Sequence, residues 1–257
     1  MKKLVLSALA IAAISSAWAI QGTIYPKVGA PVQGDIKWKV ASKEYTVAYK
    51  KGNTVVNGNF KENEVDSLEI PEPANLGKAI EMVGNKQGRQ AIPLLKQIVA
   101  DYKMLNWDKP AARWLVSAYL DSGDANEANK VAQSILNDNK DAAFTGEFAP
   151  AYWQVLLKLG KIPQLENCLK KAATSGDRAS SAAALNMRGD IILAQGGGSN
   201  ESYTKALTDG YLRVALMYGD DPCKNARREA YMKAADCFRK LNQASRANDM
   251  EAKAKQL

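Results

Sequence analysis

Leu115-Val116-Ser117-Ala118-Tyr119-Leu120-Asp121-Ser122-Gly123-Asp124-Ala125-Asn126-Glu127-Ala128 decides the fold. It reads as the end of one helix, a tight turn and the start of a second helix. Tyr119 is a large residue late in the first helix. Ala128, nine residues on, is a small residue opening the second. The same offset recurs along the chain as Met82/Ala91, Leu156/Leu165 and Phe238/Ala247. In a further unit Ile192 is followed by Ala206, with Gly196-Gly197-Gly198-Ser199-Asn200 enlarging the turn between them. Self-similarity at a fixed period is the signature of a repeat architecture. Helical hairpins are therefore expected over 75–101, 109–137, 147–173, 179–217 and 224–256. Each has an apolar face too small to stand alone, so stacking on the next hairpin buries it.

This pattern resembles the tetratricopeptide repeat (TPR) family. The second unit carries the likeness best, with Leu115, Tyr119, Gly123, Ala125 and Ala128 in register and Ile135 beyond. Tyr231, Phe238 and Ala247 repeat it in the fifth unit, and Trp153, Leu156, Gly160, Ile162 and Leu165 in the third. Gly189 and Ile192 stand for it in the fourth. Tyr211-Leu212-Arg213-Val214 with Tyr218-Gly219 looks like the second helix of repeats in exported bacterial envelope proteins of this class. The resemblance implies an α-solenoid of about five hairpins whose first helices line a concave, partner-binding groove. Alignment of the units then assigns Arg113, Ser117, Gln154, Lys158, Asn186, Asp190, Asp236 and Arg239 as partner-binding positions.

Upstream of Pro73 the period is different. Ile36, Trp38 and Val40 alternate with Lys37 and Lys39, and Tyr45, Val47 and Tyr49 alternate with Thr46 and Ala48. Lys51-Gly52-Asn53 marks a turn before Thr54-Val55-Val56, and Val65, Leu68 and Ile70 complete the stretch. Alternation of β-branched and aromatic residues between such breaks predicts a small antiparallel meander of three or four strands over 33–70. Pro71 and Pro73 end it, because neither can donate to a ladder.

Met1-Lys2-Lys3, the apolar run Leu4 to Ile14 and Ser15-Ser16-Ala17-Trp18-Ala19 together read as a secretory signal peptide cleaved after Ala19. The expected organisation is a leader over 1–19, a linker over 20–32, the β module over 33–70 and the repeat domain over 75–257. The mature protein is expected in an exported compartment, periplasmic or extracellular, with no transmembrane segment.

The chain of 257 residues holds 35 Lys and Arg, 27 Asp and Glu, and no histidine. That absence excludes Ser-His-Asp and Cys-His nucleophile pairs and any His-ligated metal. No cofactor, metal or catalytic residue is expected. Asp220 and Asp221 sit at a helix start, where a carboxylate favours the N-terminus, rather than as a facing catalytic pair. The glycine-rich run at 196–200 lacks the Lys and Ser/Thr of a phosphate loop. Cys168, Cys223 and Cys237 read as small buried thiols, since a helix starting near Lys224 would hold Cys223 and Cys237 too far apart to bridge.

Charge is unevenly placed. Two of the formal +8 leave with Lys2 and Lys3, and residues 224–255 carry nine basic groups against four acidic ones. Lys224, Arg228 and Arg239 share a helix flank and form a candidate patch for an acidic glycan, anionic lipid or acidic protein surface. A polar terminal cap explains the same charges. DNA is not expected, because no base-stacking aromatics interleave the basic residues. The expected function is a non-catalytic, exported scaffold or adaptor for protein–protein interaction in a bacterial cell envelope. The alternatives are a carbohydrate-binding protein using Trp38, Tyr45 and Tyr49, an anionic-surface binder using the basic hairpin, and a carboxylate-based envelope hydrolase.

Overall fold

A computed structural model of the protein describes residues 19–257. The expected leader lies outside the described residues, apart from Ala19. The described chain forms two compact units, one ending at Glu72 and including Ala100–Asn106, the other comprising Pro73–Val99 and Trp107–Leu257.

The first unit is an antiparallel sheet of β1 (Ile20–Pro26), β2 (Val32–Lys39), β3 (Glu44–Lys51), β4 (Thr54–Lys61) and β5 (Val65–Glu69), in the order β4-β3-β2-β1-β5. It has one strand more than the sequence predicts, and the addition lies in the expected linker. β1 begins at Ile20, pairs with β2 in a register that sets Ile20 opposite Ile36, and takes β5 on its other side. Gly22 and Pro26 conceal this strand, because both residues normally weaken a strand reading. Gly22 is required there: a Cβ would lie 2.8 Å from the Glu69 carbonyl oxygen as well as 2.5 Å from Ile70 Cδ1. Ile24, Ile36 and Val47 are fully buried on one face, as period-two alternation demands. Val40 departs from the predicted alternation; it falls in the turn after β2 and is 61% exposed. Hydrogen bonds hold residues 100–106 to the sheet. Tyr45 donates its hydroxyl to the Met104 carbonyl at 3.1 Å, and Asn106 donates Nδ2 to the Leu68 carbonyl at 2.8 Å.

The second unit consists of five helical hairpins. They are α1 (Leu76–Gly84) with α2 (Gly88–Asp101), α3 (Asp108–Asp121) with α4 (Ala125–Asp138), and α5 (Ala149–Lys158) with α6 (Ile162–Thr174). Then α7 (Arg178–Gln195) is followed by α8 (Asn200–Ala206), a π-helical turn at Leu207–Tyr211 and α9 (Leu212–Met217); α10 (Lys224–Lys240) and α11 (Ala244–Lys255) complete the array. The small or apolar residues predicted to open the second helices, Ala91, Ala128, Leu165, Ala206 and Ala247, are all at 0% exposure. Short side chains at four of these positions let paired helices approach, and dispersion between close-packed surfaces supplies the gain. Their large partners fill the space between units: Tyr119, Leu156 and Phe238 are buried.

The turns repeat as closely as the helices do. In four hairpins the carbonyl of the large marker accepts the N–H five residues later. The bonds are Gln87 to Met82 and Asp124 to Tyr119 at 2.8 Å, Lys161 to Leu156 at 2.9 Å, and Gln243 to Phe238 at 2.8 Å. This is the Schellman closure of a helix C-terminus, and it places one residue in the left-handed region. Gly123 and Gly160 occupy that position with φ of 82° and 66°, and Lys86 and Asn242 do so with φ of 62° and 58°. A Cβ at Gly123 or Gly160 would meet nothing within 4 Å, so backbone conformation alone penalises a side chain there. Gly123→Ala and Gly160→Ala should each lower the urea unfolding free energy by about 1 kcal/mol, and Lys86→Gly should raise it by a similar amount. Unchanged midpoints in all three variants would refute the closure as a determinant of stability.

Cys168, Cys223 and Cys237 are free and buried. Burial pushes the Cys223 and Cys237 thiols up to about 11, with the Asp220 carboxylate adding to the effect at Cys223. Because the thiolate is the reactive species, Ellman's reagent at pH 8 should label none of the three in the folded protein and all three after denaturation. Rapid labelling of one thiol in the native state would contradict this packing.

Candidate functional site

The first helices α3, α5, α7 and α10 present stripes spaced three or four residues apart toward one groove. Arg113 and Ser117 come from α3, Ala151 and Gln154 from α5, Ala183, Asn186 and Asp190 from α7, and Ala226, Glu229 and Lys233 from α10. The groove has a volume of about 470 Å³. Trp114, Pro150 and Met187 add apolar surface, while Glu147 and Asp177 add carboxylates where α5 and α7 begin.

Its polar side chains are tied to one another across helices. Asp190 is the hub. Lys233 Nζ lies 2.7 and 2.9 Å from its two carboxylate oxygens, the Tyr211 hydroxyl donates to Oδ1 at 2.7 Å, and Gln154 Nε2 donates to Oδ2 at 3.0 Å. Lys233 also pairs with Glu229 at 2.7 Å. Burial alone would lower the Lys233 pKa, but the carboxylates of Glu229 and Asp190 outweigh it and hold the ammonium above its ordinary value. Burial raises the Tyr211 phenol, and the adjacent Asp190 carboxylate raises it further. So Asp190 bridges α5, α7, α10 and the π-helical turn in a single network.

The π-helical turn positions Tyr211. A Cβ on Gly189 would lie 2.5 Å from the Tyr211 ring, so only glycine allows that ring to lie over α7 and reach Asp190. The sequence reading places Tyr211 on the second helix and gives it no part in the site. One extra residue in the helical ladder, a feature of π-bulges, leaves no signature in the apolar periodicity.

At one side of the groove Arg113 pairs with Glu147 at 3.1 Å and lies over the Trp114 ring at 5.0 Å. Asp177 caps α7 by accepting from the Ala179 amide and the Ser180 hydroxyl; chiefly the latter bond holds its carboxyl below the usual range. Arg178 binds both oxygens of Asp220, 2.9 Å at the shortest, and brings that carboxyl down to about 2. Asn186 is 1% exposed and donates Nδ2 to the Ala226 carbonyl at 2.8 Å, which leaves Oδ1 buried with no hydrogen-bond partner. An unsatisfied buried acceptor costs about 1–3 kcal/mol.

Five of the eight expected partner-binding residues, Arg113, Ser117, Gln154, Asn186 and Asp190, thus line one groove. The other three do not. Lys158 lies one turn beyond Gln154 and is exposed. Asp236 and Arg239 lie one and two turns beyond Lys233 and pair with each other at 3.2 Å. On α10 the groove runs past Asn225, Glu229 and Lys233 instead. Arg239 also pairs with Glu251, so of the expected anionic-surface patch only Lys224 and Arg228 are exposed without such a double tie. Tyr45 is 5% exposed, stacks at 54° with its centroid 4.7 Å from that of Trp38, and uses its hydroxyl internally, so it offers no sugar-binding face.

Among the described residues no three His, Cys, Asp or Glu side chains come together to hold a metal, and no helix is long and apolar enough to cross a membrane. Five hairpins, four of them closed by one turn geometry, with four first helices facing a common groove, make a TPR-like helical repeat fold. Comparison with protein-family models and with curated proteins finds no match. Two solved structures of a Podosopora anserina putative kinesin light chain with nearly identical TPR-like repeats are similar at 14% identity. One, carrying a point substitution, has a TM-score of 0.42 and covers 71% of this chain and 92% of its own; the other has 0.41, with 73% and 96%.

Removing one member of a partly buried ion pair strands the other. Lys233→Met should therefore destabilise the protein by about 2–3 kcal/mol, and Tyr211→Phe by about 1 kcal/mol. A raised ammonium pKa contributes stability that is whole below the ordinary 10.5 and is lost as pH rises through the folded value. Wild type should accordingly lose more stability than Lys233→Met between about pH 10 and pH 12, as urea titrations can measure. Parallel losses would exclude the network as the cause.

Proposed function

We propose that this protein is a non-catalytic scaffold that binds a protein partner in the groove of α3, α5, α7 and α10. The observation that carries the reading is the groove itself: polar and apolar side chains from four successive first helices face one concave space and are fixed by cross-helix bonds before any partner arrives. Preorganisation of this kind reduces the ordering cost of association. A non-catalytic role is supported by the state of Asp190, the innermost carboxylate, whose oxygens are taken up by Lys233, Tyr211 and Gln154. A general base needs such an oxygen within reach of a substrate proton.

The protein acts, in this reading, as an adaptor in an exported compartment of a bacterial cell envelope. Support comes from the leader-like start, Met1 to Ala19, and from the first strand beginning at Ile20, so cleavage after Ala19 leaves β1 whole. The basic last hairpin serves as the polar end of the array. Photo-crosslinking residues introduced at Ser117 and Asn225 should capture a discrete protein partner in cells. The same residue at Glu166, on second helix α6, should not. Capture at Glu166 alone would overturn the groove reading. Mass analysis of the exported protein should give an N-terminus at Ile20, and a retained leader would rule out the export route.

A further inference from the structure

The groove has the opposite electrostatic sense to the chain around it. The sequence carries a formal charge of +8. The groove, in contrast, is lined by four carboxylates, Glu147, Asp177, Asp190 and Glu229, against two cations, Arg113 and Lys233. Two of those carboxylates are only half used. Glu147 engages Arg113 through Oε2, and Glu229 engages Lys233 through Oε1; their side chains are 82% and 47% exposed. The second oxygen of each remains for an occupant. Lys233 is shared between Glu229 and Asp190, so that cluster keeps one negative charge over.

Two features of the lining then restrict what fits. The net charge selects a cation and disfavours nucleic acid, anionic lipid and acidic peptide. Trp114, Pro150, Ala151 and Met187 supply apolar floor that a bare polyamine would leave exposed to water. A polypeptide supplies both complements, a basic side chain and apolar side chains. We infer that the occupant is an extended polypeptide segment bearing at least one lysine or arginine, received by Glu147 and Glu229, with apolar side chains against Trp114, Pro150 and Met187. This rests on the groove-binding reading and adds the chemistry of the partner.

Phage-displayed random dodecapeptides panned against the full chain provide the test, with binding of each enriched peptide then measured by fluorescence anisotropy. Enriched peptides should carry net positive charge and bind more weakly as salt rises. The double variant Glu147→Gln/Glu229→Gln, which changes only exposed carboxylates, should weaken them roughly five- to tenfold and flatten the salt dependence. Ala151→Trp fills the groove and should abolish binding, with Ser117→Trp as a second blocking variant and circular dichroism confirming that each is folded. Peptides blocked by these tryptophans but neutral or acidic, and indifferent to the double variant, would overturn the basic-segment inference while leaving the groove as the site. Peptides that bind the blocked variants as well as wild type, or no enrichment at all, would overturn the groove reading too.

Discussion

The close approach of paired helices is the constraint on which the repeat unit depends. Ala91, Ala128, Ala206 and Ala247 hold no side-chain atoms beyond Cβ at the contact, and each is fully buried. A longer side chain there would force the hairpin apart, and overpacking of such a contact costs typically about 1–3 kcal/mol. Because each hairpin buries its apolar face only against its neighbours, stability accumulates along the array. In four of the five hairpins a left-handed residue closes the turn and sets how the paired helices lie against each other.

From that geometry the groove follows without further devices, but its rigidity does not. Besides apolar contact and the Asn186 bond to the Ala226 carbonyl, helices α5, α7 and α10 are joined by Asp190. Its carboxylate gathers a cation, a phenol and an amide from three other elements, and the cation is in turn shared with Glu229. A network satisfied in this way specifies one arrangement of the helices, whereas a half-satisfied one would be a liability. Outside this network, Asn186 Oδ1 is one of the buried side-chain atoms left without a partner.

Much of this is legible in the residues, and what is not has physical reasons. The nine-residue offset between large and small markers locates the hairpins, because the offset expresses helix length plus a closed turn. Alignment of the first helices finds Arg113, Ser117, Gln154, Asn186 and Asp190, since equivalent positions in a repeat face the same way. The register fails on α10, where the groove runs along Asn225, Glu229 and Lys233 rather than Asp236 and Arg239. Two parts of the network are hidden altogether. Tyr211 depends on a π-helical turn that periodicity does not encode, and the pairing of Lys233 with Asp190 joins positions far apart in sequence. In the sheet, Gly22 and Pro26 disguise a strand that lies between β2 and β5.

At the groove, Asp177 caps α7, Glu147 pairs with Arg113, and Asp190 and Glu229 share Lys233. Rigidity of the groove before a partner arrives can be tested directly by hydrogen–deuterium exchange on the free protein. In a rigid groove, amides around Asn186–Asp190 and Glu229–Lys233 are as protected as those of the buried stretch Leu115–Tyr119, and Asp190→Asn lowers protection in both segments together. Exchange there as fast as in the turns at Gly123 and Gly160 would contradict it.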